Sequence, residues 1–479
     1  MQPSSPFFNT NPNLFFNNYT TFLTNHPSDF NPLPMNHDNN HSSNMFNFSS
    51  NESIEIIQDS GTLLGNDNQI GPSLNWFFTF PIEGVEIDQY HELSMVQLAK
   101  AYGDAMKNEQ LELSNVIMNR AKEKVVSPVG GTTMDRLLYY LFRPLMSTNG
   151  KNYLWLESMK NFHAAFKTFY QNFPYGKIAH LTANRTILET ITHDLEVVHI
   201  VDFNVGSGIQ WPTLLETIGY RTRHVKLTMI KWDDEYSDQD GGYWQWDLEE
   251  TKILLKDHAK MFGLNLEVTI MNLNDLMIMI EGSSKVEWLV FNCMVGLPHM
   301  GKKAMNSNYK ATGFLSVAKL LLARNEGIVI YGDIAACDDQ TEDSLLFDKH
   351  ITCYQSMLES IEWNFPLHLG EARTALECLF VAPLISSFSF KRELDRCNVG
   401  VKNGLEGWRI SEDCVMESME ILSVCGGLYG LDIHGENCNE MRLRWKDVPL
   451  VTVSCWKLYK STNSISKMSS LQQEKMGFS

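Results

Sequence analysis

Between about residues 88 and 195 the apolar positions recur every three and four residues. Met95, Leu98, Ala99, Tyr102 and Met106 share one helical face, as do Met134, Leu137, Leu138, Leu141, Phe142 and Leu145, and then Met159, Phe162, Phe166, Phe169 and Tyr170. Leu113, Val116, Ile117 and Ala121 make a weaker stripe. This spacing predicts a helical cap subdomain whose stripes are mostly core, with a partner-binding face on one of them as the alternative reading. From 196 the period changes. Short apolar runs at 197–203, 225–230, 266–271, 287–295 and 327–333 alternate with helical segments near 211–219, 247–262, 310–324 and 341–361. Strand alternating with helix predicts an α/β core with a doubly wound, mostly parallel sheet. Near the C-terminus, runs at 441–445 and 450–456 flank Lys446-Asp447-Val448-Pro449. They predict an antiparallel hairpin closing one sheet edge.

The first 87 residues follow neither period. Twelve asparagines lie within residues 1–50, interleaved with Phe7-Phe8, Phe15-Phe16, Phe22, Phe30, Phe46 and Phe48. A disordered leader is expected there, and a loose Ser-rich tail over 461–479. No basic residue precedes Lys100, while ten acids do. Acid with interspersed aromatics resembles a segment that folds onto partners, such as a transcriptional activation region; an inert leader is the equal alternative.

Charge narrows the function classes. The chain has 39 basic and 57 acidic residues, a net charge of −18. Naked nucleic acid repels such a surface unless a local basic patch wins. Lys302-Lys303 and Lys391-Arg392 are isolated pairs, and Arg442, Arg444 and Lys446 alternate as one face of a strand. Nine scattered cysteines without a CxxC spacing argue for free thiols and against a zinc site. There is no secretory pattern, and no apolar run approaches the roughly 18 residues of a membrane span. The expectation is an intracellular, soluble protein.

Residues 197–219, VVHIVDFNVGSGIQWPTLLETIG, carry the candidate chemistry. An apolar run ends in Asp202, Gly206-Ser207-Gly208 turns the chain, and Pro212 opens a helix. Doubly wound sheets keep ligands beside such strand ends. Gly206 and Gly208 fit the first two positions of G-x-G-x-x-G, but Trp211 stands where the third glycine packs helix on strand, which argues against a dinucleotide site. The pattern from Asp202 to Gly208 is closer to the loop of S-adenosylmethionine-dependent methyltransferases. Asp233, with Asp234 and Glu235, follows the next strand, where an acid can bind ribose hydroxyls. Asp202, Gly206, Gly208 and Asp233 therefore form a candidate pocket. A methyltransferase, a small-molecule receptor and a turn kept for packing alone all remain open. Gly296 to Lys302 matches G-x-x-x-x-G-K in spacing only, since Pro298 lacks an N–H and Lys303 replaces the magnesium-binding hydroxyl. Glu371 and Glu377 flank Arg373, which reads as helix-surface ion pairing rather than a catalytic acid pair.

Taken together, the motifs resemble those of a known family. Val198, His199, Ile200, Val201 and Asp202, followed by Gln210, Trp211 and Pro212, are similar to the "VHIID" block of the plant GRAS transcriptional regulators. FNCMVGLPHM at 291–300 resembles the nodulation signalling pathway 2 subgroup in particular, as do Phe365-Pro366, Glu371-Ala372-Arg373 and Phe380 to Pro383. Trp408-Arg409, with Trp445 and Trp456, is similar to the closing "SAW" block. The "PFYRE" block is eroded, and 334–349 is unusually acidic. The resemblance covers about 88–460. It implies a Rossmann-like, methyltransferase-like core (196–460) under a helical cap (88–195), and a nuclear regulator without intrinsic catalysis or cofactor. It further implies homo- or heterodimers through the cap, pairing with other GRAS proteins or DNA-binding transcription factors, indirect contact with DNA and none with membranes.

Overall fold

The computed structural model describes residues 95–124, 131–146, 162–192, 195–219, 224–232, 247–282, 287–295, 297, 307–334, 343–365, 370–387 and 404–459. The leader, the tail, the acids at 233–235 and all of 296–302 except Leu297 lie outside them.

Among the described residues five helices come first: α1 (Met95–Lys107), α2 (Leu111–Lys124), α3 (Thr133–Met146), α4 (Phe162–Asn172) and α5 (Pro174–Thr190). The described side chains of each stripe are buried or, at Tyr102, Met106, Leu113, Val116 and Met134, half-buried; Met159 lies outside the described residues. Leu137, Leu138, Leu141 and Phe142 of α3 pack in one core with Phe166, Phe169 and Tyr170 of α4. Helix α5 is buried on nearly every residue, polar ones included. It lies against later elements, which explains why its apolar periodicity is weak.

The α/β part follows as β1 (Val198–Asp202), α6 (Trp211–Ile218), β2 (His224–Ile230), α7 (Leu248–Met261), β3 (Asn265–Met271), α8 (Leu273–Glu281), β4 (Trp288–Met294), α9 (Ser307–Leu322), β5 (Glu326–Ile334) and α10 (Asp343–Asn364). Then come α11 (Gly370–Leu376), a π-helical turn (Glu377–Val381), α12 (Ala382–Ser387), β6 (Leu405–Gly407), α13 (Glu412–Cys425), β7 (Tyr429–His434), β8 (Glu440–Trp445) and β9 (Val448–Leu458). Side chains start the helices: Asp247 caps α7, Asn272 caps α8 and Ser411 caps α13, each oxygen accepting backbone N–H groups that the helix leaves unpaired.

The nine strands form one sheet in the order β3-β2-β1-β4-β5-β9-β8-β7, with β6 also pairing β9. Strands β3, β2, β1, β4 and β5 are parallel, and β9 pairs antiparallel with β5, β8 with β9 and β7 with β8. Alternate residues of one strand feed two cores. Val198 and Ile200 of β1 face the large core with α6 and α7, while Val201 and Phe203 face a second core with α8 and α9. A sheet covered on both sides is the doubly wound arrangement, and the expected fold is borne out.

Two details differ from expectation. The β8–β9 hairpin is present, but β9 pairs β5 and lies inside the sheet, so β7 takes the edge. Its turn is Lys446-Asp447 alone, with Lys446 at φ +52° and a register shift at Leu443/Arg444, and Val448 already belongs to the strand.

Candidate functional site

In a doubly wound sheet the strand order reverses between β1 and β4, and ligands enter the crevice at their carboxyl ends. Asp202 ends β1 there, directly opposite Asn292 of β4. The chain then makes a tight turn. Asn204 N–H donates to Asp202 Oδ1 (3.1 Å), Gly208 N–H to the Val205 carbonyl (2.9 Å), and Trp211 N–H to the Gly208 carbonyl (3.0 Å). Gly206 (φ +56°) and Gly208 (φ +76°) occupy the left-handed region that glycine enters without strain. At Gly208 space is a second constraint: a Cβ would lie 2.9 Å from Thr251 Cγ2 and 3.4 Å from Leu255 Cδ1, because α7 packs directly on the turn.

The turn brings Trp211 back over the strand end. Its indole Nε1 donates to Asp202 Oδ2 (2.8 Å), and the ring is completely buried. Asn292 Nδ2 donates to Asp202 Oδ1 (3.3 Å) and to Gln210 Oε1 (3.1 Å), and Gln210 Nε2 donates back to Asn292 Oδ1 (3.3 Å). Gln210 Nε2 also donates to Asn184 Oδ1 (3.2 Å), and Asn184 Nδ2 to the Gln210 carbonyl (2.8 Å) and Thr213 Oγ1 (3.2 Å). Asp202, Trp211, Gln210, Asn292 and Asn184 thus form one buried network linking β1, α6, β4 and α5. Burial pushes the Asp202 carboxyl up to about 6, against the pull of its hydrogen bonds from Trp211, Asn204 and Asn292.

On the opposite side of β1, Trp232 Nε1 donates to the Phe203 carbonyl (3.0 Å), and its ring lies 5.1 Å from that of Phe203. The strand end is therefore covered from both sides by the chain itself. The methyltransferase loop needs bare backbone beside a free carboxylate. Here the carboxylate is committed, an indole lies against it, and α7 covers the turn. These residues do not fit a bound nucleoside cofactor.

The other motif residues are structural. His199 Nδ1 lies 2.9 Å from Glu287 Oε2 and its Nε2 lies 2.9 Å from Thr228 Oγ1, while Lys226 Nζ donates to Glu287 Oε1 (2.6 Å). The bond to His199, with Lys226 adding, pulls the Glu287 carboxyl down to about 2 despite its burial. Val198, Ile200 and Val201 are core, and Pro212 is buried in the first turn of α6. Trp408 N–H donates to the Cys455 carbonyl (2.8 Å), and Lys457 Nζ sits 5.5 Å from the Trp408 ring. Arg409 pairs with Glu412 at 3.4 Å. Trp445 packs edge-on against Tyr429 (4.8 Å), and Trp456 Nε1 donates to Ser454 Oγ (2.8 Å). An open groove of about 620 Å³ lies beside Glu189, Trp408, Arg409, Glu436, Cys438 and Lys457. Asp233 falls outside the described residues. Among the described residues no group of His, Cys, Asp and Glu is arranged to hold a metal, and no helix is long and apolar enough to cross a membrane.

One cluster overturns its sequence reading. Glu377 and Arg373 are fully buried, not on a helix surface. Arg136 of α3 donates from Nε to Glu377 Oε1 (2.9 Å) and pairs through Nη2 with Glu362 Oε2 (2.9 Å), while Tyr140 OH donates to Glu377 Oε2 (2.9 Å). Arg373 stands 3.6 Å from Glu377 and 3.8 Å from Glu362. Glu371 alone of the expected trio is exposed.

The pattern of the GRAS domain family matches residues 95–457, a span that includes this crevice and both tryptophan elements. The chain belongs to the GRAS family. It is 26% identical over 423 residues to Protein NODULATION SIGNALING PATHWAY 2 of Medicago truncatula, covering 79% of this chain and 78% of that protein. The protein of the same name from Lotus japonicus is 27% identical over 398 residues, covering 76% of each. The DELLA protein RGL3 of Arabidopsis thaliana is 25% identical over 387 residues, 76% of this chain and 69% of that protein. The crystal structure of SCL7 from Oryza sativa superposes with a TM-score of 0.52 at 21% identity, over 76% of this chain and all of that one, which shows the shared GRAS fold. GRAS proteins are plant transcriptional regulators, and these relatives are regulatory proteins rather than enzymes.

Proposed function

We propose that this chain is a nuclear transcriptional co-regulator that acts through protein contacts and dimerisation and catalyses nothing itself. The observation that carries this reading is the filled crevice: Trp211, Gln210, Asn184 and Asn292 surround Asp202 where a cofactor enzyme keeps its ligand. What remains of the enzyme architecture is a rigid scaffold. The net charge of −18 supports DNA contact through a partner that supplies the cations, either another GRAS protein or a DNA-binding transcription factor. In this reading residues 88–195 form the cap used for homo- or heterodimers, 196–460 the scaffold, 1–87 an activating leader and 461–479 a tail. The likeness to two nodulation signalling proteins supports a role in a plant signalling response.

The test is a reporter assay in plant nuclei with the full chain tethered to a heterologous DNA-binding domain. A clear change in transcription is expected, reduced when the leader aromatics are replaced by alanine. A tethered chain that accumulates in nuclei and leaves the reporter at its basal level would contradict the proposal.

A further inference from the structure

Helix α13 has an inner and an outer side. Cys414, Ser418, Ile421, Leu422 and Cys425 are buried against the protein. At 3.6 residues per turn the opposite side carries Glu412, Met416, Met419 and Glu420, with Val424 at its border. Met416 is 58% exposed, Met419 48% and Val424 66%. These side chains cannot serve the helix's own core. Methionine at solvent positions suits a surface that adapts its shape to a partner.

Charge says what kind of partner. The helix has four acids, Glu412, Asp413, Glu417 and Glu420, and no lysine or arginine. Arg185 lies 3.6 Å from Asp413 and 3.3 Å from Glu417, and Arg409 lies 3.4 Å from Glu412. Among the described residues Glu420 has no ion pair, and Lys177 lies towards Cys425 on the inner side of the helix. Burial pushes the Glu417 carboxyl up, and Asp413, Glu189 and Glu420 add to the push while Arg185 opposes it. A second copy docking face to face would bring the same acids against these. Nucleic acid and anionic membranes carry the wrong sign. A cationic segment with apolar residues on one side satisfies both the methionines and the acids.

We propose that the outer face of α13 docks a basic amphipathic helix of a partner protein. Its apolar side chains cover Met416 and Met419, and its lysines or arginines meet Glu412 and Glu420. This rests on the reading that the chain works through protein partners.

The test uses the full chain and a fluorescent model peptide with leucine on one helical face and lysine on the other, read by anisotropy. The wild type binds it and does not bind the version with glutamate in place of lysine. Met416→Ser with Met419→Ser weakens binding about tenfold or more at an unchanged thermal midpoint. Glu412→Gln with Glu420→Gln weakens it and flattens its salt dependence. Wild-type affinity in the methionine variant would overturn the proposal. So would self-association of the wild type that the same variant abolishes, since that would assign the face to a second copy. Peptide binding lost in the variant, in a chain that never alters the tethered reporter, would leave this surface standing while the regulatory reading falls.

Discussion

Asp202 is the residue on which the crevice turns. Its carboxylate is buried, and three donors hold it without fully offsetting the lost hydration, so its pKa rises from 3.8 to about 6. The sign of the consequence follows. Between those two values the folded chain holds a proton that the unfolded chain has released, so stability falls as pH rises through about 6. Urea unfolding across this range should show that decline, and Asp202→Asn should flatten it while costing about 1–3 kcal/mol from mismatched donors. An identical pH profile in the variant would place the titrating group elsewhere. Glu287 works in the opposite sense: pulled from 4.5 down to about 2, it contributes stability that is fully present above about 4.5 and is lost progressively as pH falls towards 2. Asp202, Gly206, Gly208 and Trp211 were legible in the sequence because turn, strand end and helix start are local signals. Asn292 and Asn184 were not. A single asparagine inside an apolar run has no local pattern, and Gln210 meets Asn292 across 82 residues of chain.

Among the elements, α3 and the π-helical turn are joined by a buried ion pair. Arg136 joins Glu377 where both are fully buried, and Phe380 of the same turn stacks on Phe169 of α4 with ring centroids 3.9 Å apart. Two of the N-terminal helices are thus anchored on residues 377–381. Removing one partner of a buried pair strands the other charge. Glu377→Ala should therefore destabilise the chain by about 3–5 kcal/mol. Hydrogen exchange should rise in α3 before it rises in β1 and β4; equal exchange throughout would mean that the pair does not anchor this helix. The parallel strands were legible because they are apolar, β-branched runs between turn residues. Helix α8 was not, because Leu273–Glu281 is short and apolar on most sides. Strand β7 was missed although Tyr429, Leu431 and Ile433 alternate with Gly430, Asp432 and His434, because Gly and Asp are poor strand formers and the run is short. The ion pairs of Glu377 were misread because charges at helical spacing look alike on a surface and in a core until the packing of α3 is known.

At the scale of the whole molecule, the GRAS chain combines a doubly wound sheet and a net charge of −18 with a buried side-chain network at the switch point. The architecture was visible in the alternation of strand and helix. Closure of the crevice depends on how far Trp211 and Gln210 reach, which only the assembled sheet reveals. The most direct measurement is calorimetric titration of the full chain with S-adenosylmethionine. The filled crevice predicts no saturable heat even at about 1 mM ligand, where a cofactor enzyme would be saturated. Saturable micromolar binding that Gly208→Val or Trp211→Phe weakens would contradict the account.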